Sequence, residues 1–250
     1  MTGDDHPLAR DLAAQAGQRL LGLRAQGGDQ DMLRKAGDRL SHDFLTAELA
    51  ARRPGDVVLS EEGADNPARL AARRVWIVDP LDGTREFGEP GRTDWAVHVA
   101  LWEDGDLTAG AVALPAQGTV LSTAEPPPPP PDGAPGRIRV VVSRSRPPRF
   151  VRNISGLIDA ELVPLGSAGA KVAAVINGEV DAYVHGGGFY EWDTAAPVAV
   201  ARAAGLHTSR IDGSALTYNQ PDLLMPDILV CRPALAGTLL RAIREVTHAP

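Results

Sequence analysis

Val75-Trp76-Ile77-Val78-Asp79-Pro80-Leu81-Asp82-Gly83-Thr84 is the stretch from which the rest of the chain is read. Its first four residues are apolar, so they form a short buried strand that delivers Asp79 at its C-terminal end. Pro80 fixes part of the backbone, and Gly83 permits an unusual dihedral and close approach to a ligand. Two carboxylates on one tight turn can converge on a single point. Thr84 adds a hydroxyl, and the N–H groups after Gly83 can form an anion-binding nest. Carboxylate and carbonyl oxygens are hard ligands, which suits Mg²⁺ or Mn²⁺. Asp82-Gly83 on its own is ordinary turn chemistry. The full string behind a buried strand points to function instead.

On the N-terminal side, Leu8, Leu12, Ala16, Leu20 and Leu23 follow helical spacing, which predicts a helix over 6–24. A second helix is expected over about 32–52 and a short strand at Val57-Val58-Leu59. On the other side, 95–122 alternates between turn signals and reads as a β-meander. Pro126 to Pro131 is an unbroken proline run, expected as an extended, solvated connector over 126–136. Beyond it, strands are expected at 138–142, 162–163, 180–185 and 228–231, and helices at 167–176, 194–204 and 235–246. The expected organisation is an N-terminal α+β domain over 1–125 and a C-terminal α/β domain over 137–250.

The chain has 250 residues, 44% of them hydrophobic, which is enough apolar material for a real core. Its net charge of -7 argues against binding to a nucleic-acid polymer. No apolar run approaches the length of a membrane span, and the acidic N-terminus has no apolar signal core. Cys231 is the single cysteine, which excludes an internal disulfide framework. Together these features favour the cytoplasm.

Two further acidic segments follow predicted strands or open helices. Ser60-Glu61-Glu62-Gly63, alone, is a solvated loop. Glu191-Trp192-Asp193-Thr194-Ala195-Ala196 opens a helix, where Asp193, alone, is a capping acid. Taken together, Glu61-Glu62, Asp79-Pro-Leu-Asp82-Gly-Thr84 and Trp192-Asp193-Thr-Ala-Ala resemble the motifs of the inositol monophosphatase-like superfamily of metal-dependent phosphatases, in the family's order. Within it, Arg85-Glu86-Phe87, Val142-Ser143-Arg144-Ser145 and Gly166-Ser167 followed by Lys171 resemble the 3′-phosphoadenosine-5′-phosphate phosphatases of the CysQ type.

That resemblance implies an α+β fold, a layered α/β/α/β/α sandwich of the sugar-phosphatase kind. It implies that Glu61, Asp79, the carbonyl of Leu81, Asp82 and Asp193 hold two or three Mg²⁺ ions, with Mn²⁺ able to substitute. The family's further aspartate falls on Asp38, although Met32 to Gly37 departs from the usual lead-in and Asp43 competes. Asp38, Thr84 and Glu61 would orient an attacking water. Asp82, Gly83, Thr84, Arg144, Ser145 and Asp193 would bind a small phosphorylated metabolite, with 3′-phosphoadenosine 5′-phosphate fitting best. Inositol monophosphates and fructose 1,6-bisphosphate are the alternatives. Inhibition by lithium and a homodimer are also implied. The chemistry requires cations: carboxylates about 4 Å apart repel by roughly 4 kcal/mol at an effective dielectric near 20.

Other readings are weaker. His185-Gly186-Gly187-Gly188 resembles an esterase oxyanion string, but no Gly-x-Ser-x-Gly accompanies it. Gly166 to Lys171 lacks the ending of a phosphate-binding loop. His98, inside an alternating strand, reads as a core or sheet residue, and Cys231 as a buried small hydrophobe. A non-catalytic sensor of the same fold would be expected to lack Asp79 or Asp82, and both are present.

Overall fold

Alternate residues of the quoted strand face opposite ways, and each face finds its own layer. The computed structural model describes residues 4–130, 136–145 and 147–247. Helices α1 (Asp5–Ala25) and α2 (Gln30–Arg52) come first, followed by strands β1 (Val57–Ser60) and β2 (Arg74–Asp82). A short helix α3 (Thr84–Gly88) leads into β3 (Ala96–Glu103), β4 (Asp106–Leu114) and β5 (Thr119–Ser122). These strands form one sheet in the order β1-β2-β3-β4-β5, parallel only between β1 and β2. Trp76 and Val78 on β2, with Val97, Val99 and Leu101 on β3, pack against Leu8, Leu12, Leu20, Leu45 and Leu49 of the first two helices.

The second half contributes β6 (Arg139–Ser143), α4 (Arg149–Leu157), β7 (Glu161–Leu165), α5 (Ala168–Ile176), β8 (Ala182–His185) and β9 (Phe189–Tyr190). Then come α6 (Glu191–Ala203), β10 (His207–Ser209), β11 (Leu224–Met225), β12 (Ile228–Cys231) and α7 (Pro233–Thr247). The second sheet runs β10-β12-β8-β6-β7, and β9 pairs with β11 in a small ribbon. Val75 and Ile77 of β2 and Ala96 and Ala100 of β3 meet α5 and α6, whose other side meets Val141, Tyr183, Ile228 and Val230 of the second sheet. The outer face of that sheet, with Val140, Val142, Val184 and Leu229, is closed by α4 and α7. The order is therefore helix, sheet, helix, sheet, helix, as expected. The middle layer belongs to the second half by sequence but packs on β3 and β4 of the first, so the two halves share one core.

Several boundaries differ from the sequence reading. Strand β2 runs on through Asp82, with an irregularity in its pairing to β3 between Asp79 and Asp82, so the aspartates lie on a distorted strand end. Helix α6 begins at Glu191, which places Asp193 inside its first turn. The sequence reading assigned no element at α3 or α4: α3 is five residues long and α4 nine, too short for a clear periodic signal. Pro126 to Pro130 has no regular structure; Pro131 to Pro135, within the expected connector, lies outside the described residues. No helix among the described residues is long and apolar enough to cross a membrane.

Candidate active site

The irregular end of β2 folds Asp79 and Asp82 toward one another beneath the start of α6. Asp79, Asp82 and Asp193 each offer an oxygen, and these oxygens lie within 4.8 Å of one another. The site thus joins the two halves of the chain. Asp79 accepts from the Leu81 N–H at 3.0 Å, and Asp193 accepts from the Tyr190 N–H at 2.6 Å, which fixes both side chains. Asp193 therefore acts as a capping acid and also faces the other two aspartates.

Asp82 is held most tightly. Its two oxygens accept from the N–H groups of Ala168 and Gly169, at 3.1 and 2.6 Å, at the beginning of α5. His98 stands 3.2 Å away, and Lys171 lies buried nearby, its ammonium bound to the Gly166 carbonyl and 5.4 Å from the Tyr183 ring centre. Burial raises the Asp82 carboxyl, but His98, Lys171 and the Gly169 N–H outweigh it, and the group sits below the ordinary carboxylate range.

At the remaining acids, burial and like charges outweigh what support there is. Burial first, then the charges of Glu61, Asp82 and Asp193, pushes Asp79 well above the usual range. Burial and Asp82 raise Asp193 to about 6. Glu61 sits exposed on the loop after β1, where desolvation first, then the charges of Asp193, Asp38, Glu62 and Asp82, raise its carboxyl to about 7. Such a set of uncompensated, hard oxygen donors fits a divalent cation of the Mg²⁺ type.

Asp38 and Thr84 meet across the edge of this cluster. The Thr84 hydroxyl lies 3.3 Å from Asp38 Oδ1 and 3.0 Å from the Leu81 carbonyl. Helix α2 reaches the loop here because Gly37 has no side chain: a Cβ would fall 2.8 Å from the Phe87 ring and 3.0 Å from Leu81. Desolvation and Glu62 raise Asp38 to about 6, against the Thr84 hydrogen bond. Asp43, the competing candidate, is exposed and pairs with Arg39 at 2.7 Å. Gly83 adopts φ 82°, a left-handed turn that starts α3.

Beside the cluster opens a cavity of about 530 Å³, lined among others by Asp82, Thr84, Ser145, Lys171, His185 and Asp193. Ser145 is among the residues that line it. Arg144 does not line it. Its guanidinium instead pairs with Glu86 at 2.7 Å and Glu89 at 3.1 Å, linking β6 to α3. The sequence reading missed three supports. His98 sits opposite Asp79 on β3. Glu191, buried at the start of α6, accepts from the N–H groups of Asn219 and Gln220 at 2.6 and 2.8 Å. Arg69, also buried, donates to Asn219 Oδ1 and the Gln220 carbonyl, both at 2.9 Å, and so ties the segment after Glu61 to the same loop. A lone polar residue in an apolar run was the available signal for His98. Nothing local marks Arg69.

Comparison with known proteins agrees with this geometry. The chain is 51% identical to a 3′-phosphoadenosine 5′-phosphate phosphatase of Mycobacterium leprae, over 97% of this chain and 94% of the relative. It is 32% identical to the 3′(2′),5′-bisphosphate nucleotidase CysQ of Escherichia coli K12, covering 83% and 91%. The crystal structure of CysQ from Bacteroides thetaiotaomicron superposes with a TM-score of 0.78 at 28% identity, over 90% of this chain and 95% of that one. The inositol monophosphatase family model matches residues 8–248, a span that takes in every acid gathered at the end of β2, and the chain belongs to that family.

Proposed function

We propose that the chain hydrolyses the 3′-phosphate of 3′-phosphoadenosine 5′-phosphate, releasing AMP and phosphate, with Mg²⁺ as cofactor. The observation that carries this reading is the meeting of Asp79, Asp82 and Asp193 within 4.8 Å, beside the Asp38–Thr84 pair and an open cavity. The names of the relatives supply the substrate. Glu61, Asp79, Asp82, Asp193 and the Leu81 carbonyl would hold the metal. When bound, Mg²⁺ supplies charge neutralisation for phosphate oxygens and a lowered pKa for water.

The protein's own groups do the rest. The Thr84 hydroxyl carries one proton and faces two acceptors, Asp38 and the Leu81 carbonyl, so it can accept a hydrogen bond from water while donating to one of them. Asp38, at about 6, is ionised at neutral pH and basic enough to take a proton relayed through Thr84. Glu61 helps to orient the same water. The N–H groups of Gly83 and Thr84 are assigned to a phosphate oxygen, and Asp193 and Asp82 to the leaving side. Ser145 would contact the nucleotide from the cavity wall. Arg144 would reach it only by leaving Glu86 and Glu89, so its assigned contact is the weakest of the set. Two or three ions, Li⁺ inhibition, a homodimer and a cytoplasmic role in sulfur metabolism complete the proposal.

The test is phosphate release with Mg²⁺ on 3′-phosphoadenosine 5′-phosphate, inositol 1-phosphate and fructose 1,6-bisphosphate, with and without Li⁺. The nucleotide is expected to be strongly preferred. Equal rates on all three would overturn the nucleotide assignment.

A further inference from the structure

One buried side chain touches both halves of the acid cluster without belonging to it. His98 is fully buried on β3, directly across the sheet from Asp79. Its Nδ1 lies 3.1 Å from the main-chain carbonyl of Trp192, the residue before Asp193. A carbonyl only accepts, so Nδ1 carries a hydrogen and donates it. Its Nε2 lies 3.2 Å from Asp82 Oδ2, off the line of a straight hydrogen bond. One rigid ring therefore spans from the aspartate loop of the first half to the α6 backbone of the second.

The seat for this ring is specific. Residues 95–101 are otherwise apolar, and Ala96 and Ala100 leave room on the same face of the strand. Gly169 closes the seat from α5. A Cβ there would overlap Nε2 and stand 2.9 Å from the Ala96 Cβ, and the Gly169 N–H itself donates to Asp82. An apolar side chain would fill the space but would lose the hydrogen bond to the Trp192 carbonyl.

We propose that His98 is a positioning residue that sets the spacing between Asp82 and Asp193 before a cation arrives. Like charges gathered from separate elements push those elements apart, and a ring hydrogen-bonded to the Trp192 carbonyl and packed against Asp82 resists that separation. The proposal rests on reading Asp82 and Asp193 as metal ligands. Groups of this kind, once removed, typically weaken metal binding about 10–100-fold.

The experiment is a Mn²⁺ titration of metal-stripped protein, with free Mn²⁺ followed by electron paramagnetic resonance, alongside denaturant unfolding. The variants are His98→Leu, close in volume; His98→Gln, which can still donate; and Val99→Ala, a cavity on the opposite face of the same strand. His98→Leu is expected to bind Mn²⁺ about 10–100-fold more weakly. It should also need correspondingly more Mg²⁺ for half-maximal phosphate release, with kcat at saturating Mg²⁺ changed less. His98→Gln should recover part of the affinity, and Val99→Ala should lose stability at unchanged affinity. Wild-type affinity in His98→Leu would overturn the proposal. So would affinity losses that simply track stability across all three variants. Should His98→Leu not fold, His98→Ala, which also lacks both nitrogens, takes its place, and wild-type affinity in that variant would overturn the proposal as well. Absence of Mn²⁺ binding by the wild type would overturn the metal-site reading itself, and this proposal with it.

Discussion

Asp79→Asn should make the metal-free protein more stable while destroying its response to Mg²⁺. Asp79 is 1% exposed, and its Oδ1 accepts the Leu81 N–H at 3.0 Å, a bond the Asn amide oxygen can keep. The substitution therefore removes charge with little change of shape. Carboxylate oxygens 4.8 Å apart repel by about 3.5 kcal/mol at an effective dielectric near 20. The raised Asp79 carboxyl already escapes part of this by holding its proton, so the gain for the metal-free variant is about 1–3 kcal/mol. At about 2–4 °C per kcal/mol for a chain of this size, the variant should melt roughly 2–12 °C above wild type in EDTA. In Mg²⁺ the order should reverse. Wild type gains about 2.7 kcal/mol when the ion is at 100 times its Kd, and the variant gains little. Phosphate release should fall about 1,000-fold or more. The assay is a tryptophan-fluorescence melt in EDTA and in Mg²⁺, with turnover measured on the same samples. A variant that melts below wild type in EDTA and still rises with Mg²⁺ would refute the reasoning.

Asp38 and Asp193 at about 6, and Glu61 at about 7, lie above their unfolded values near about 4. The folded chain thus holds protons that the unfolded chain releases, and their stabilising contribution is lost as pH rises from about 4 to about 7. Melts in EDTA should fall between pH 5 and pH 8, and Mg²⁺ should flatten the curve; a rise in EDTA across that window would contradict the assignment. Thr84→Val removes the relay hydroxyl and should lower kcat about 100-fold with KM nearly unchanged, as read by steady-state phosphate release. Arg69→Ala strands Asn219 and the Gln220 carbonyl and should cost about 3 kcal/mol in urea unfolding. A loss under about 0.5 kcal/mol would show that this tie carries nothing.

The parts of the site legible in the sequence were those carried by contiguous motifs. The quoted strand and its aspartates announced themselves because a buried apolar run cannot end in two acids without a reason. Alternation along β2 and β3 and helical spacing in α1 were equally plain. Asp38 is a different matter. The residues before it do not match the usual pattern, and only the Gly37 approach to Phe87 and Leu81 brings it to Thr84. His98 and Arg69 act through partners 94 and 150 positions away, Trp192 and Asn219, and no local pattern encodes a contact at that distance. Arg144 shows the converse: a cation in a suggestive motif whose charge is already committed to Glu86 and Glu89. The short α3 and α4 went unassigned for want of length, and α6 starts three residues before its expected beginning because Asp193 bonds back to Tyr190.

The most direct measurement is chromatographic identification of the products from 3′-phosphoadenosine 5′-phosphate, with Mg²⁺ and again with EDTA. AMP and phosphate are expected with Mg²⁺, and no turnover with EDTA. Adenosine 3′-phosphate as the product, or hydrolysis that EDTA leaves untouched, would contradict the proposed function.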